Sequence, residues 1–174
     1  FELAAEVHQH LEMHGINLHL GDGLKAIEAG QNKVLQVNTS SGLALETDLV
    51  ILSIGVRPNS GLAKDAGLEM EPRGHICVNR QMQTSDPDIY AVGDAVQIDS
   101  CLTGKPTFLA LAGPAAKQAR IAADHMVGRD VAFKGVIGTS VVKIFDLTVG
   151  STGLNSRQLK EAQIPFESVT SHVN

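Results

Sequence analysis

The apolar positions of the chain change their period from one segment to the next, and these changes predict alternating helices and strands. Four apolar residues near the start recur every three to four positions, which is the period of one helix face: Phe1, Ala4, Val7 and Leu11. Gly15 follows at the expected end of this helix. Residues 16–20 then favour a strand, and residues 24–54 favour several strands separated by glycine-containing turns.

Residues 49–52 are apolar on both faces, which is typical of a buried strand in a parallel sheet. Further along the chain, residues 75–78 and 89–92 are predicted to be short strands. The small residues that recur between positions 112 and 126 predict a helix with little side-chain bulk, ending at Gly128. Such a helix can lie close to a sheet or to a ligand.

The last part of the chain predicts two short strands, a short helix and a final strand: residues 141–145, 148–149, 155–161 and 166–173. The whole pattern therefore favours an α/β protein. The chain begins with Phe1 rather than Met, and it enters helical periodicity without a capping residue. We expect it to be a piece of a longer protein.

Composition excludes several classes of function. The 174 residues carry a net charge of −5 and only six aromatic side chains, five Phe and one Tyr. Neither a basic nucleic-acid surface nor a base-stacking platform is expected from such a chain. Its apolar runs are too short for a membrane span, and no signal peptide is recognisable. The two cysteines form no CxxC pair, which favours a reducing, cytoplasmic compartment.

The segment of residues 84–95 carries the clearest candidate chemistry. It reads TSDPDIYAVGDA, a predicted strand followed by Gly93 and Asp94. Gly93 removes the side chain where a ligand could come close. An ionised Asp94 is an acceptor only, so it suits the hydroxyls of a sugar-like chain. A bare Gly-Asp pair is more often a simple turn, so the argument depends on the complete segment.

This segment closely resembles the second flavin-binding signature of the pyridine nucleotide–disulfide oxidoreductases. The resemblance implies that Asp94 accepts a hydrogen bond from the ribityl chain of FAD, with Gly93 beside it. Residues 53–59, SIGVRPN, resemble the crossing between the nicotinamide and flavin domains of that family. This second resemblance implies that Gly55 lies against NADH or NADPH.

Residues 110–118, ALAGPAAKQ, resemble the segment that opens the long helix under the flavin ring. The resemblance implies backbone contacts to the ring from Ala110, Leu111 and Ala112. The partial positive charge of the helix N-terminus would there stabilise a reduced, anionic flavin. Ala116 and Ala119 depart mildly from the residues usual in the family, a small polar residue or Asn and a Gly.

Residues 138–155 resemble the start of the C-terminal dimerisation domain in the branch of coenzyme A disulfide reductases, NADH oxidases and persulfide reductases. By position, Val141 would approach the nicotinamide ring. The implied fold is α/β, with partial FAD- and NAD(P)-binding Rossmann-like domains followed by the start of an α+β dimerisation domain. The implied domains are 1–53 (second half of the NAD(P)H domain), 54–134 (second half of the FAD domain) and 135–174 (start of the interface domain), in a homodimer.

The activity implied for the longer protein is electron transfer from NADH or NADPH through FAD to a disulfide or persulfide such as coenzyme A disulfide. Three alternatives remain open: an NADH oxidase or peroxidase, a flavin reductase that serves a small redox protein, and an isolated module without catalysis. The redox cysteine and the glycine-rich turns of the family are expected upstream. We therefore expect no catalytic residue in this chain, and NADH is not distinguished from NADPH.

The remaining candidate ligands are cysteines and histidines. Cys77 lies between apolar neighbours and is expected to be a core residue, and Cys101 is expected to lie in a loop without a role. His10 and His14 are four residues apart on the predicted first helix, near His8 and Glu6, so two of them could ligate a metal. Because no further ligand is evident along the chain, we expect a solvated helix face and no metal site.

Overall fold

The structure is a computed structural model that describes residues 2–30 and 34–171. The chain divides into two compact units, which we call unit 1 (Phe1–Gly55 with Val142–Val149) and unit 2 (Val56–Val141 with Gly150–Asn174). Its elements, in chain order, are α1 (Glu2–Met13), β1 (Leu24–Ala29), β2 (Leu35–Thr39), β3 (Ala44–Thr47), α2 (Gly61–Asp65), β4 (Ile76–Cys77), β5 (Val96–Asp99), β6 (Pro106–Thr107), α3 (Ala112–Met126), β7 (Thr139–Ile144), β8 (Leu147–Thr152) and α4 (Ser156–Glu161).

Unit 1 contains α1 and an antiparallel meander of β1, β2 and β3. In the middle strand, Leu35 pairs with Ala29 on one side and with Thr47 on the other. Gly15 follows α1 with a φ of 78°, and its N–H donates to the carbonyl of Glu12. A left-handed residue just past the helix is a usual helix stop. The predicted first helix and the strands within residues 24–54 are thus confirmed.

Two strands predicted for unit 1 are wrong. Residues 16–20 are irregular, and residues 49–52 form no strand although they are apolar on both faces. Instead this run is exposed, with 80% of Ile51 accessible to solvent. A strand that is apolar on both faces gains stability only from neighbours on its edges and faces. Among the described residues, no strand pairs with this run.

Unit 2 is built around a small sheet in which β4 pairs parallel with β5, and β5 pairs antiparallel with β6. The predicted strand at residues 75–78 and the predicted helix ending before Gly128 are confirmed as β4 and α3. Eight buried apolar residues form its core: Ala63, Ile76, Met82, Val96, Ile98, Ala122, Phe133 and Val136. Gln118 and Ala122 are the buried residues of α3.

The strand predicted at residues 89–92 is wrong, and the order around Gly93 and Asp94 is reversed. Only an isolated bridge between Tyr90 and Gln83 occurs there, while β5 begins after Asp94 rather than ending at it. Side-chain bonds hold the preceding residues in turns: the N–H of Asp88 donates to Oδ1 of Asp86, for example. Such local bonds compete with a strand ladder.

The C-terminal part contains the hairpin of β7 and β8 and the helix α4, all three of them predicted. Asn155 caps α4 in a capping box with Gln158, which satisfies two N–H groups at the helix start. The strand predicted at 166–173 is absent through residue 171, and its last two residues lie outside the described part. None of the helices described is both long and apolar enough to cross a membrane.

Candidate functional site

A large cavity of unit 2 lies at the turn formed by Gly93 and Asp94. Its volume is about 740 Å³, within the range of small-molecule sites, and it is lined by residues 56–59, 75, 92–95 and 108–110. A second cavity of unit 2, lined in part by β5, measures only about 120 Å³. The larger of these two cavities is therefore the candidate site, and its lining includes three residues that the sequence singled out: Gly93, Asp94 and Ala110.

The Gly93–Asp94 turn is held in place by a buried side chain of α3. Gly93 has a φ of 89°, in the left-handed region that a glycine adopts without strain. Its N–H donates to Oε1 of Gln118 over 2.7 Å, and Gln118 is only 1% exposed. A buried N–H is costly to leave without an acceptor. Gln118 therefore couples the position of this turn to the packing of α3.

Asp94 presents a free carboxylate at the cavity. Its side chain is exposed and makes no hydrogen bond or ion pair with any residue that the structure describes. A Cβ placed on the neighbouring Gly93 would meet nothing within 4 Å, so the space beside the turn is open. An unpartnered acceptor next to open space is suited to bind hydroxyl groups of a ligand.

A second wall of the cavity consists of His75 and Phe108, whose rings stack with centroids 4.4 Å apart. His75 is buried, and its Nδ1 lies 2.9 Å from Oε1 of Glu71. This hydrogen bond lowers the pKa of Glu71, so the carboxylate accepts and Nδ1 carries the proton. The guanidinium of Arg73 lies 5.1 Å from the centre of the Phe108 ring, which covers the wall with a cation–π contact.

Three of these residues were missed by sequence reasoning. Gln118 stood within a recognised segment but received no role, and neither His75 nor Phe108 was singled out. The spacing of Glu71 and His75, four residues apart, is the signal that could have indicated the pair. The Gln118 contact has no such signal, since it joins residues 25 positions apart.

The start of α3 leaves backbone donors free beside the cavity. Ala110 lines the cavity, whereas Leu111 and Ala112 lie just beyond its lining. Leu111 is the N-cap and offers no side-chain cap, and its own N–H donates to the carbonyl of Leu109. The N–H groups of Ala110 and Ala112 have no acceptor among the residues described. A free N–H and the positive end of a helix both favour an electron-rich ligand group.

Neither of the two residues predicted to face the nicotinamide lines this cavity. Gly55, in unit 1, has a φ of 104°, and an added Cβ would meet nothing within 4 Å. Val141 lies on β7 of unit 2 and is 71% exposed, outside the cavity lining. Both positions are therefore open to solvent in the structure described.

The two cysteines have different surroundings, and neither lines the cavity. Burial, together with the charges of Glu69 and Glu71, raises the pKa of the Cys77 thiol. A raised pKa disfavours the thiolate, which is the nucleophilic form. The Cys101 thiol donates to the carbonyl of Lys134 over 2.8 Å.

The chain is similar in sequence to a family of redox enzymes and to several of its members. The sequence profile of the family described as "Pyridine nucleotide-disulphide oxidoreductase" matches residues 2–127. The NAD(P)H sulfur oxidoreductase (CoA-dependent) of Pyrococcus furiosus is 36% identical over 157 residues, which cover 90% of this chain and 35% of that protein. An NADH oxidase of Methanocaldococcus jannaschii is 38% identical, with 95% of this chain and 36% of that protein covered.

The fold is also found in solved structures. The crystal structure of reduced Bacillus anthracis CoADR-RHD superposes with a TM-score of 0.89 at 47% identity, covering 96% of this chain and 30% of that one. These likenesses confirm the predicted α/β fold class and the resemblance drawn from the sequence segments. This chain spans only about a third of the length of the relatives described here.

Proposed function

This chain belongs to the pyridine nucleotide-disulphide oxidoreductase family, whose members are FAD-dependent NAD(P)H oxidoreductases, and we propose on that premise that its unit 2 cavity holds the flavin end of FAD. The observation that carries the proposal is the Asp94 carboxylate, which is unpartnered among the described residues and lies at the 740 Å³ cavity. The residues fit such a ligand: an acceptor for ribityl hydroxyls, an open glycine beside it and free N–H groups at the start of α3.

Each of these residues has a separate task in the proposal. Asp94 accepts hydrogen bonds from the ribityl hydroxyls and so fixes the cofactor along the turn. Gln118 holds the turn in place through Gly93. The N–H groups of Ala110 and Ala112, with the positive end of α3, stabilise negative charge on the ring. The stacked rings of His75 and Phe108 exclude water from one wall. When bound, FAD supplies the exchange of electrons with the nicotinamide.

We further propose that the longer protein passes electrons from NADH or NADPH through FAD to a disulfide or persulfide such as coenzyme A disulfide. The relative from Pyrococcus furiosus, a CoA-dependent sulfur oxidoreductase by name, supports this class of acceptor. The cysteine that exchanges with the substrate would lie outside this chain. Gly55 and Val141 would face the nicotinamide, which is consistent with the exposure of both.

The proposed domains are 1–53 for NAD(P)H, 54–134 for FAD and 135–174 for the dimer interface, in a homodimer. The exposed apolar run at residues 49–56 supports a larger assembly, because it would be covered by parts of the longer protein.

A second candidate function is reduction of oxygen, which the similarity to an archaeal NADH oxidase favours. Turnover of the longer protein with coenzyme A disulfide, compared with oxygen, separates the two.

The test of FAD binding is Asp94→Ala in the longer protein. Loss of hydrogen bonds to a charged acceptor weakens binding by about 10- to 100-fold, measured as FAD retained per chain and as the dissociation constant. Asp88→Ala is the matched control, because Asp88 is an exposed aspartate of the same segment that does not line the cavity. Unchanged FAD content and turnover in Asp94→Ala would contradict the proposal.

A further inference from the structure

In unit 1, two histidines near the start of the chain meet an aspartate that is more than 130 residues away in sequence. His10 and His14 lie on α1 and just after it, and Asp146 lies at the tip of the hairpin between β7 and β8. One ligand atom from each lies within 4.8 Å of the others. Among the residues that the structure describes, they form the only such group of three histidine, cysteine or acidic side chains. We propose that they bind a divalent transition-metal ion, with Zn²⁺ as the reference case.

The distances suit one shared ion. Nε2 of His10 lies 2.9 Å from Oδ1 of Asp146, and Nε2 of His14 lies 3.8 Å from the same oxygen. Ligand atoms that share a tetrahedral ion at about 2.0–2.2 Å lie about 3.3–3.6 Å apart. The first separation is slightly shorter than this range and the second slightly longer, so side-chain movements of about 0.5 Å or less bring both into it.

His14 is prepared as a ligand by its second nitrogen. Its Nδ1 lies 2.9 Å from the backbone carbonyl of His10, which can only accept a hydrogen bond. Nδ1 of the neutral ring therefore carries the proton, and Nε2 carries a lone pair. A hydrogen bond from the outer ring nitrogen to a carbonyl is the usual support of a metal-binding histidine. The lone pair of Nε2 and the Asp146 carboxylate are both electron-rich, so a cation between them stabilises the arrangement.

The surroundings of His10 also favour a shared cation. Its Nε2 is buried and has no hydrogen-bond partner among the described residues, although the Asp146 oxygen lies 2.9 Å away. The pair is close but lies outside hydrogen-bond geometry. A buried ring nitrogen that faces a carboxylate at ion-pair distance without a hydrogen bond is explained by a cation shared between the two groups.

The hairpin tip is held against the helix by an aromatic contact. Phe145 stacks on the His14 ring, with centroids 4.0 Å apart and an interplanar angle of 6°. Phe145 adopts a φ of 54°, a strained value for a large side chain, and such strain is found where the surroundings impose it. Asp146 remains 83% exposed, which leaves room for water to complete the coordination of the ion.

The ligand set selects the class of metal. Two imidazoles and one carboxylate suit Zn²⁺, Co²⁺, Ni²⁺ or Cu²⁺, whereas Mg²⁺ and Ca²⁺ prefer oxygen ligands. The sequence expectation of a solvated histidine face considered α1 alone. The third ligand comes from the hairpin, so no spacing along the chain could indicate it. This site shares no residue with the lining of the cavity in unit 2, and the proposal does not rest on the proposed redox activity.

The proposal is tested by titrating Zn²⁺ into the metal-free protein without a polyhistidine tag, with calorimetry as the readout. We expect one ion to bind per chain, and we expect Mg²⁺ to give no saturable heat. His14→Ala and Asp146→Asn should each weaken Zn²⁺ binding by about tenfold or more. His19→Ala and Asp48→Asn are matched controls, because they remove exposed unit 1 side chains outside the cluster, and they should leave the affinity unchanged.

A second measurement separates a lost ligand from a lost fold. Alanine is the best helix former, so circular dichroism of His10→Ala should retain the signal of α1 while Zn²⁺ binding falls. Absence of saturable Zn²⁺ binding in the unaltered protein would overturn the proposal, and the cluster would then be an ion pair only. Equal affinity in all variants would also overturn it, since the ion would then bind elsewhere.

Discussion

Unit 1 and unit 2 differ in how they bury their apolar residues, although both mix helix and strand. Every buried apolar residue of the described chain lies in unit 2, between Ala63 and Val136. Among the described residues of unit 1, the buried one is Thr39, which is 8% exposed, and β1 and β3 remain mostly exposed. Small units bury too little apolar surface to be stable alone. Unit 2 is therefore stabilised by its own apolar core. Unit 1 has no such core among its described residues, so its stability depends on apolar surface that the unit itself leaves exposed.

The difference explains where the candidate cofactor site lies. A binding site needs walls that keep their geometry, and the Gly93–Asp94 turn is followed directly by Val96 and Ile98, two residues of the core. The first segment of unit 1 instead ends in residues 49–55, which are mostly exposed. The chemically distinctive feature of unit 1, the cluster of His10, His14 and Asp146, is held by the exposed stack of Phe145 on His14, whereas the cavity turn of unit 2 is held by a buried side chain.

The largest expected difference between the two units is in the loss of stability when a methionine is replaced by alanine in each unit. Met82→Ala removes a side chain that is 2% exposed in unit 2, and Met13→Ala removes one that is 76% exposed in unit 1. The first should lower the free energy of unfolding by about 2–5 kcal/mol, because it leaves a cavity. The second should change it by less than about 0.5 kcal/mol.

Denaturant unfolding measures both variants, and Tyr90 gives a reading specific to unit 2. The chain has no Trp and a single Tyr, which lies in unit 2. Tyrosine fluorescence therefore follows unit 2, while circular dichroism follows both units. If Met13→Ala shifted the fluorescence transition as much as Met82→Ala, the assignment of the core to unit 2 would be wrong.

Sequence patterns predicted the elements whose signals are local. The recurring small residues of α3, the left-handed Gly128 after it and the capping box at Asn155 all act within a few residues. Residues 49–52 show the limit of this reasoning. Hydropathy shows that burial is favourable there, but it does not provide a neighbouring strand to bury the run against.

The candidate site shows the same division between local and distant information. Gly93 and Asp94 were indicated by a continuous segment, and the structure places both at the cavity. Gln118 and the His75–Phe108 stack depend on packing between distant segments. The cluster of Asp146 with the histidines His10 and His14 likewise depends on packing between distant segments. Composition and spacing carry no direct information on such contacts.

A smaller effect is expected from Gln118→Leu, which tests whether the core supports the cofactor turn. The substitution leaves the N–H of Gly93 without its 2.7 Å acceptor, and it should cost about 1–3 kcal/mol in the free energy of unfolding. In the longer protein it should also lower FAD affinity, since the turn that carries Asp94 loses its support. Thermal unfolding and FAD content measure the two effects.

Gln9→Leu makes the same change on the exposed face of α1 and serves as the control. It should alter neither quantity measurably. FAD affinity that stays unchanged in Gln118→Leu, with a lowered stability, would show that Gln118 supports the fold of unit 2 without positioning the turn.

The smallest effect concerns acid, because each unit carries a carboxylate whose pKa is lowered by hydrogen bonds. The hydrogen bond from His75 lowers the pKa of Glu71 in unit 2, and the hydrogen bond from the Ser41 hydroxyl lowers the pKa of Asp22 in unit 1. A carboxyl whose pKa is lower in the folded state binds fewer protons there than in the unfolded state. Its stabilisation is therefore complete above the ordinary pKa, about 4, and is lost as the pH falls below it.

Substitution of each carboxylate assigns the acid sensitivity to one unit. In Glu71→Gln, the dependence of unit 2 stability on pH below about 4 should become shallower, as measured by tyrosine fluorescence during denaturant unfolding at several pH values. Asp22→Asn should leave that dependence as it is, because its hydrogen bonds with Ser41 lie within unit 1. Equal flattening by both variants would mean that acid weakens the two units together, and the division of stability between them would then fail.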